Sequence, residues 1–549
     1  MRVLLVAGLG PTFKNSTYLN GTLLDRENGD ANAADYLRGT ELAGLRLSRL
    51  GFRHGGVDYP LLRPRRTTVP HLTTFTLERI LEQAGADYDH FDTLNLWDQD
   101  DPQPPGGDYE AVLLSTSYIW NNAALRTAVG WIGRHFPGVP LLLGGQYSNL
   151  KYASVMRDFP TVDIIVRGDS EEALPALLHA LAARAPLDGI PNLVLRPDPG
   201  IRGAEPGRPG WYATGFEYID LDAHPSPMPR GRFPVIPYES MRGCPFTCKF
   251  CSFPAASPKW RYKSAQKIHD DWAAYAEQCG AGFIKAMDST FTVPPTRLRE
   301  LLRLLPGLGV EWEGYSRANV IKTPELVDQL AAAHCRFLSL GFESMSDNTL
   351  KHMDKKVNRK QNLQAFRLLS SGGLGYRCSF MAGYPGETPD DYAQTHAFLT
   401  EEYRGHFMLS VFSISDETMP LWQDRERLRI EVHDPHDPDY SWSHIGMDVH
   451  EARSLNHRTL TDVRRKNDGA VLMLWQADFE HWLVPHLGTP ENLAIEKSVE
   501  RIGMAPVDHP DPAGGAAAIR ENLSRLARYG VHLYPEGVLR GRSLLEARV

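Results

Sequence analysis

Three of the six cysteines in the chain lie within eight positions, in the stretch RGCPFTCKFCSFP (242–254). Cys244 and Cys248 are separated by three residues, and Cys248 and Cys251 by two. Structural zinc sites use four ligands, usually in two separated pairs, so this triplet fits zinc poorly. Three thiolates would leave one iron of a four-iron cluster open to a substrate, whereas electron-transfer clusters normally have four cysteine ligands. The spacing therefore favours a catalytic iron–sulfur cluster, with chance clustering of small core residues as the alternative.

The composition is that of an ordinary globular protein, with 549 residues, 42% hydrophobic and 23% charged side chains. This length exceeds what one core organises and predicts several domains. The net charge is only −8 and the arginines are spread along the chain, so nothing marks a nucleic-acid-binding surface. No apolar stretch approaches the roughly 20 residues that span a bilayer. We expect a cytoplasmic protein with no membrane span and no nucleic-acid partner, and in that compartment clustered cysteines bind metal more often than they form disulfides.

Residues 1–195 alternate strand-like and helix-like segments, which predicts a doubly wound, Rossmann-like parallel sheet. The strand-like runs are RVLLVAG (2–8), AVLLSTS (111–117), PLLLGGQ (140–146) and the start of VDIIVRGDSEEALPALLHALA (162–182). The helix-like runs are TLERILEQAG (76–85), ALRTAVGWIGRHF (124–136) and the end of 162–182. In such sheets ligands lie beyond the carboxyl ends of the strands.

Small polar residues and glycines follow several of these strands, where a backbone can approach a ligand closely. The candidate ligand contacts are Ser115, Thr116, Ser117, Gly144, Gly145, Gly168 and Asp169. The alternative is that they are only turn glycines and strand-end caps.

Residues 196–235 are rich in Pro, Gly and Arg and are predicted to be a linker. Strand and helix alternation restarts over 236–430, with about six strands each followed by a helix. This pattern predicts a partial, TIM-like (β/α)6 barrel, with its active site at the carboxyl ends of the strands. The cysteine loop opens this barrel.

The last segment, 431–549, is predicted to be a mostly helical region that caps the barrel mouth and contacts substrate. The stretch 439–460 concentrates Trp442, His444, Met447 and His450. A satisfied core or surface residue is the default interpretation of each histidine. The run VLMLWQADFEHWLVPHL (471–487) has the spacing of an amphipathic helix.

The cysteine loop CPFTCKFC resembles the CxxxCxxC signature of radical S-adenosylmethionine (SAM) enzymes. The resemblance continues through MDSTFTV (287–293), YSRAN (315–319), LGFESMSDNTLKHMDKK (340–356) and FMAGYPGET (380–388). Upstream, LLLGGQYS (141–148) and the segment 162–181 are similar to the cobalamin-binding domain that precedes many of these barrels. The chain thus resembles the cobalamin-dependent radical SAM methyltransferases, over roughly residues 100–420.

The resemblance implies three cofactors: a [4Fe-4S] cluster, SAM and cobalamin. Cys244, Cys248 and Cys251 would ligate the cluster, whose open iron would chelate the amino and carboxylate groups of SAM. Arg317 and Glu343 would face the ribose or methionine of SAM, with a surface-paired Arg and a helix-capping Glu as the alternatives. The implied SAM contacts are Phe246, Phe250, Arg317, Glu343, Ala382, Gly383, Tyr384 and Pro385. The implied cobalamin contacts are the strand-end residues Ser115, Thr116, Ser117, Gly144, Gly145, Gly168 and Asp169.

One feature departs from the corrinoid proteins that bind cobalt through histidine. Their DxHxxG motif follows the first strand, and the stretch at that place here, GLGPTFKNSTYLNG (8–21), contains no histidine. The near match DVHEAR (448–453) lies far downstream and lacks the glycine. We therefore expect cobalt without a histidine lower ligand.

The implied function is C-methylation of a small molecule or modified peptide of specialised metabolism, using a 5′-deoxyadenosyl radical and methylcobalamin. An electron donor such as flavodoxin or ferredoxin would be a partner. A radical SAM cyclase or rearrangement enzyme without net methylation is the alternative. A non-enzymatic iron–sulfur binding or sensing protein is the third candidate.

Overall fold

The structure is a computed structural model. It describes the following residues: 1–9, 23, 35–40, 42–43, 50–54, 57–60, 69–196, 210–414, 417–434, 441–472 and 487–535. They belong to two units, of which the first lies within 1–13, 69–246 and 251–280, and the second within 14–68, 247–250 and 281–549. The four-part division predicted from the sequence stays a prediction.

The β-strands are β1 Arg2–Ala7, β2 Leu50–His54, β3 Val57–Pro60, β4 Asp87–Asp92, β5 Ala111–Ser115, β6 Leu141–Gly144, β7 Ile164–Val166, β8 Leu193–Leu195, β9 Tyr212–Ala213, β10 Val235–Tyr238, β11 Met241–Arg242, β12 Arg261–Tyr262, β13 Phe283–Ala286, β14 Glu311–Ser316, β15 Cys335–Glu343, β16 Gly375–Ala382, β17 Gly405–Val411, β18 Glu431–Val432, β19 Trp442–Ser443, β20 Ala470–Leu472 and β21 His532–Pro535.

The α-helices are α1 Leu72–Gln83, α2 Asn95–Asp98, α3 Asn122–His135, α4 Gln146–Leu150, α5 Tyr152–Asp158, α6 Ala173–Ala183, α7 Phe253–Ala256, α8 Ala265–Cys279, α9 Pro295–Leu304, α10 Pro324–Ala332, α11 Asp347–His352, α12 Arg359–Ser371, α13 Pro389–Ala397, α14 Arg425–Leu428, α15 Val449–Lys466, α16 Thr489–Asp508 and α17 Pro512–Arg528. Within the part of the chain that the structure describes, no helix combines the length and the apolar character needed to cross a membrane.

The first unit contains a doubly wound sheet in the order β4-β1-β5-β6-β7-β8-β9. The strands from β4 to β7 are parallel, and β8 and β9 are antiparallel additions at one edge. Alternate residues of β1 enter two different cores: Leu4 and Val6 pack with α3, whereas Val3 and Leu5 pack with α1 and α6. Both faces of the sheet are therefore covered, as a parallel sheet requires. The chain reverses its strand order between β1 and β5, which creates a crevice there.

The second unit contains the parallel strands β13-β14-β15-β16-β17-β20, in chain order. Helices follow these strands, which confirms the predicted barrel-type repeat. Tyr376, Cys378 and Phe380 of β16 are buried, whereas the alternating Arg377 and Ser379 are only half-buried. One face of the sheet is thus apolar and buried in the core, and the other face carries the polar side chains.

The predicted helical C-terminal region is confirmed by α15, α16 and α17. The helix predicted over 471–487 is wrong at its beginning, because Val471 and Leu472 belong to β20, which pairs with β17. A short apolar run has the same composition in a buried strand and in a buried helix, so periodicity cannot separate the two. Residues 473–486 of that prediction lie outside the described residues.

Candidate functional site

A short antiparallel pair closes the loop that carries the three clustered cysteines. In the pairing of β11 with β12, Arg242 lies opposite Arg261. Both guanidinium groups donate to the carboxylate of Asp169: Nη1 of Arg242 lies 2.9 Å from Oδ1, and Nη1 of Arg261 lies 2.5 Å from Oδ2. Because the Asp169 side chain is only 4% exposed, the buried carboxylate holds both ends of the cysteine loop in place.

The three loop thiols differ in exposure. Cys244 and Cys251 are half-buried in the first unit, and Cys248 is buried in the second. Among the described residues, no three His, Cys, Asp or Glu side chains form a group that could hold a metal ion. The assignment of the three thiols to an iron–sulfur cluster stays a prediction.

The other three cysteines, Cys279, Cys335 and Cys378, are buried and free. Burial raises the pKa of each thiol above its usual value. The thiolate form, which is the form that binds iron, is therefore disfavoured at these positions.

The middle of the cysteine loop is anchored to the turn that follows α11. The hydroxyl of Thr247 donates to Oδ2 of Asp354 at 2.9 Å. The backbone N–H of Lys249 donates to the carbonyl of Met353 at 2.9 Å, and its ammonium lies 2.5 Å from Oδ2 of Asp424. Backbone and side-chain bonds thus fix the segment around Cys248.

Arg317, a predicted SAM contact, lies beside this segment. Its Nη1 is 3.6 Å from Sγ of Cys248, and its Nη2 donates to the carbonyl of Lys355. The residue is 6% exposed, so the alternative of a surface-paired arginine is wrong. The guanidinium group of Arg317 therefore lies beside a predicted cluster ligand.

Glu343, another predicted SAM contact, ends β15 in the left-handed conformation with φ 64°. Its Oε1 lies 2.8 Å from Nζ of Lys355, and its Oε2 accepts from the hydroxyl of Ser379 at 3.4 Å. Ser346, and not Glu343, caps the next helix, so the capping alternative is wrong. A buried, non-glycine residue with positive φ at a strand end is a strained conformation that is concentrated at functional sites.

The remaining predicted SAM contacts lie at the end of β16 and in the cysteine loop. Residues 382–385 are all buried. The ring of Tyr384 meets the ring of Phe250 edge-on, with centroids 6.5 Å apart. Phe246 is half-buried and belongs to the first unit. The structure thus brings Phe250, Arg317, Glu343 and the end of β16 into one unit, and their role as SAM contacts stays a prediction.

Sequence reasoning missed Glu387, which closes the turn after β16. Its Oε1 accepts from the hydroxyl of Thr349 at 3.2 Å. Burial raises the pKa of Glu387 to about 8, although its hydrogen bonds oppose that shift. The sequence does carry a signal for Glu387, since this residue lies two positions after the predicted SAM contacts Ala382 to Pro385.

His444 is a satisfied core histidine, as the default interpretation expected. Its Nδ1 accepts the backbone N–H of Gly386 at 3.3 Å, and its Nε2 donates to the carbonyl of Gly383 at 3.3 Å. The ring stacks on Trp442 with centroids 5.4 Å apart, and burial lowers the pKa of His444 to about 4. His444 therefore holds the turn after β16. His450 is exposed on α15.

The first unit contains a cavity of about 270 Å³ at the carboxyl ends of β5, β6 and β7. Six of the seven predicted cobalamin contacts line it: Ser115, Ser117, Gly144, Gly145, Gly168 and Asp169. Gly145 has φ 102°, and a Cβ there would lie 2.7 Å from the backbone nitrogen of Ser117, so only glycine permits this approach. Small-molecule sites occupy about 300–1,000 Å³, so a cavity of this size suits one arm of a large ligand rather than a whole corrinoid.

Two of the predicted contacts have structural roles. Thr116 does not line the cavity; its hydroxyl donates to the carbonyl of Gly144 at 2.8 Å and ties β5 to β6. The carboxylate of Asp169 accepts four hydrogen bonds, from Arg242, Arg261 (two) and the backbone of Ile219. A carboxylate has about four acceptor positions, so Asp169 can offer a ligand little beyond its backbone.

Sequence reasoning missed much of the cavity wall. The missed residues come from α1, from α4 and from the cysteine loop with its flanks: Leu72, Thr73, Thr76, Leu77, Gln146, Asn149, Glu239, Arg242, Phe253, Ala256 and Ser257. The amide of Asn149 donates to the carbonyl of Ala256, so the segment after the cysteines forms part of the wall. Gln146 and Asn149 closely follow β6, but the other residues are distant in sequence from the strand ends, and no local pattern marks them.

None of the histidines that the structure describes lines this cavity. His71 precedes the lining residues of α1, but its Nδ1 accepts from the backbone of Thr74 and caps that helix. The stretch DVHEAR forms the start of α15, where Asp448 caps the helix. Residues 10–22, which contain most of the stretch without histidine, lie outside the described residues.

Residues 238–399 match the family described as the Radical SAM superfamily. The chain is 28% identical over 265 residues to an uncharacterized methyltransferase of Pyrococcus horikoshii, covering 47% of this chain and 57% of that protein. It is 27% identical over 277 residues to the anaerobic magnesium-protoporphyrin IX monomethyl ester cyclase of Rubrivivax gelatinosus, covering 47% and 48%. The chain thus spans about half the length of the curated relatives it matches.

Among solved structures, the fold is similar to that of the radical S-adenosylmethionine methyltransferase TsrM from Kitasatospora setae. The TM-score is 0.57 at 15% identity, and the match covers 96% of this chain and 99% of that one. At this identity the similarity concerns the fold, which both chains share over nearly their whole length.

Proposed function

Because residues 238–399 form a radical SAM domain, we propose that this chain is a cobalamin-dependent radical SAM C-methyltransferase. Its substrate would be a small molecule or modified peptide of specialised metabolism. The observation that carries the proposal is the coexistence of a three-cysteine loop with a cavity at the carboxyl ends of strands β5 to β7 in a separate doubly wound sheet. The TsrM structure with the same fold holds cobalamin and a [4Fe-4S] cluster, which supports the same two cofactors here.

Cys244, Cys248 and Cys251 would hold the cluster, and the cavity wall around Gly144 and Gly145 would hold part of cobalamin. When bound, the cluster supplies the electron that cleaves SAM, and the corrinoid carries the methyl group. An electron donor such as flavodoxin or ferredoxin would provide that electron, in a cytoplasmic setting.

The chain's own residues would orient SAM and exclude water. A cluster of buried apolar residues, including Phe412, Trp442 and Met447, packs against Tyr384 at the end of β16. Excluding water protects a reactive intermediate from side reactions. The cluster therefore supports a site for radical chemistry at this strand end.

The polar face of the second unit's sheet supports an amphipathic substrate. Tyr315 and Met408 are 37% and 48% exposed there. The guanidinium of Arg377 lies 5.8 Å from the centroid of the Tyr315 ring. Arg377 shares this face with Ser379, which contacts Glu343, because residues two apart in a strand point to the same side. A cation among apolar side chains suits an organic molecule with an anionic or polar group.

A cyclase or rearrangement enzyme without net methylation is the second candidate. The relative from Rubrivivax gelatinosus favours it, since that protein is named as a cyclase and matches at nearly the same identity as the methyltransferase relative.

Product analysis separates the two candidates. Radical methylation breaks two different carbon–sulfur bonds of SAM, so each turnover should release one 5′-deoxyadenosine and one S-adenosylhomocysteine. Deuterium at the methylated carbon should appear in the deoxyadenosine. Deoxyadenosine without S-adenosylhomocysteine would favour the cyclase, and methylated product with no deuterium transfer would contradict the radical mechanism.

Iron content tests the cysteine assignment. Replacing Cys244, Cys248 and Cys251 together with Ala should abolish the thiolate-to-iron absorption and SAM cleavage after anaerobic reconstitution. The matched control replaces Cys279, Cys335 and Cys378, whose raised thiol pKa values disfavour iron binding, and should keep both properties. Four irons per chain in the first variant would contradict the assignment.

Electron paramagnetic resonance tests the corrinoid assignment. The cob(II)alamin form should bind without superhyperfine splitting from a protein nitrogen. Such splitting would contradict the expected absence of a histidine ligand, and failure to bind cobalamin would favour a non-methylating enzyme.

A further inference from the structure

Left-handed backbone conformations cluster around one buried lysine, Lys355. Its two neighbours, Asp354 and Lys356, have φ values of 50° and 56°, and Glu343, which its side chain contacts, has φ 64°. None of the three is glycine. Such conformations are unfavourable for other residues and persist only where the surrounding structure enforces them.

The end of α11 determines where Lys355 lies. The backbone N–H of Lys355 donates to the carbonyl of Leu350 at 3.1 Å, and that of Asp354 donates to Lys351 at 3.1 Å. These two bonds form a Schellman motif, in which Asp354 takes the left-handed position that glycine usually occupies. The helix end thereby turns the side chain of Lys355 inward, and the residue is 5% exposed.

The ammonium of Lys355 has two defined neighbours. Its Nζ lies 2.8 Å from Oε1 of Glu343 and 5.1 Å from the centroid of the Phe250 ring. A Cβ on Gly341 would lie 2.2 Å from Oε1 of Glu343 and 2.8 Å from Nζ of Lys355. The pair therefore depends on a glycine in β15, one residue before the register shift that precedes Glu343.

The backbone of Lys355 contacts the cysteine segment as well. Its carbonyl accepts from Arg317, whose other terminal nitrogen is 3.6 Å from Sγ of Cys248. One residue thus links a proposed cluster ligand, through Arg317, to a proposed SAM contact, Glu343.

We propose that Lys355 is a positioning residue for SAM. It holds Oε1 of Glu343, so that Oε2, whose described partner is the distant hydroxyl of Ser379, points to the ligand and accepts from the ribose hydroxyls. Lys355 acts through Glu343 and does not itself touch SAM. This inference rests on the proposed function, because it presumes that SAM binds beside the cysteine loop.

Equilibrium binding of SAM to the reconstituted protein tests this role without any substrate. Lys355→Met should weaken SAM binding by about tenfold or more, the range that the outer partners of ligating groups typically contribute. Lys360→Met is the matched control: it makes the same substitution at an exposed lysine of the following helix α12 and should leave SAM binding unchanged. Iron content should stay at the wild-type value in both variants.

A double variant separates positioning from direct contact and from loss of folding. Glu343→Gln removes the charge that Lys355 holds, so adding Lys355→Met to it should change SAM binding by less than about twofold. The double variant also lacks the uncompensated buried carboxylate of Lys355→Met, so it tests the role even where the single variant unfolds. An equal loss of affinity from Lys355→Met in both backgrounds would overturn the inference, since the lysine would then act independently of Glu343.

The wild-type protein distinguishes the two possible failures. If reconstituted wild type binds iron and SAM but Lys355→Met binds SAM equally well, only the positioning role is overturned. If wild type binds no SAM, the proposed function fails together with the inference.

Discussion

Oε2 of Glu387 accepts the backbone N–H of Gly383 at 2.7 Å, across four residues of the turn that ends β16. This turn carries the predicted contacts Ala382 to Pro385, so its shape determines where they point. Glu387 is fully buried, and its carboxyl group closes the turn from within.

Glu387→Gln should change how stability depends on pH. Burial raises the pKa of Glu387 from a usual value of 4.5 to about 8, so the folded protein binds a proton there that the unfolded chain releases. The stability that the folded protein gains by keeping Glu387 protonated is fully present below pH 4.5. It is lost as the pH rises through 8. Glutamine has no proton to lose, so at pH 8 the variant should be the more stable protein, by on the order of a few kcal/mol. Thermal midpoints from pH 5 to about 8.5 measure this, and parallel profiles would contradict it.

His444→Ala should destabilise the turn after β16. Nδ1 of His444 accepts three backbone N–H groups, from Gly386, Gly446 and Met447. Removing a buried acceptor leaves donors unsatisfied at a cost of about 1–3 kcal/mol. His444→Asn is the matched control, because its Oδ1 replaces Nδ1 as acceptor and should retain most of the stability. Urea unfolding at pH 7 measures the difference.

The same histidine predicts an acid-dependent loss of stability. Burial lowers the pKa of His444 to about 4, so the neutral ring is favoured in the folded state. The neutral ring's contribution to stability is present above pH 6.5, which is about the pKa of histidine in the unfolded chain. It is lost as the pH falls through 4. His444→Asn should remove this part of the acid dependence between pH 6.5 and 4. An unchanged acid profile in that variant would show that other groups cause it.

Asp169→Asn should destabilise the first unit by about 1–3 kcal/mol, because Arg261, whose side chain is 11% exposed, loses its described anion, whereas Arg242 keeps Glu171 at 2.5 Å and Glu239 at 3.0 Å. Burial alone would raise the pKa of Asp169, but Arg261 and Arg242 hold it below the usual value of 3.8. The stabilisation by ionised Asp169 is therefore present above pH 3.8. It is lost as the pH falls through the pKa of Asp169 in the folded protein, which lies below 3.8. Glu172→Gln is the control, since its carboxylate is 68% exposed beside His224 and surface pairs contribute about 0–1 kcal/mol. Equal effects of both variants at pH 7 would contradict this role.

Gly145→Ala and Gly144→Ala should differ, although the residues are adjacent. Alanine at Gly145 must adopt φ 102° and bring its Cβ 2.7 Å from the Ser117 nitrogen, at a cost of about 1–3 kcal/mol. At Gly144 the nearest atom to a Cβ is the carbonyl of Val166 at 3.7 Å, an ordinary contact. Gly145→Ala should therefore be less stable and retain less cobalamin, whereas Gly144→Ala should keep its stability. Unfolding midpoints and cobalamin content after gel filtration measure both effects.

The sequence by itself determined the cysteine triplet, the two parallel sheets and most of the strand ends that line the cavity. These features are local. The spacing of Cys244, Cys248 and Cys251 is read along a few residues, and the apolar runs of β1, β5 and β6 show their burial directly. The polar residues at strand ends then share one edge, because parallel strands end at the same side of a sheet.

Only the tertiary structure decided which side chains are available to contact a ligand and which are bound to other protein groups. Asp169 follows a strand just as the glycines do, yet its acceptors are taken by Arg242 and Arg261, more than 70 residues away in sequence. His444 reaches the turn at Gly386 from 58 residues downstream. Glu343 gains its partner Lys355 through a helix end and a left-handed turn. Periodicity reports whether a residue is buried, but the partner of a buried charge depends on how distant segments pack, and no local pattern encodes that packing.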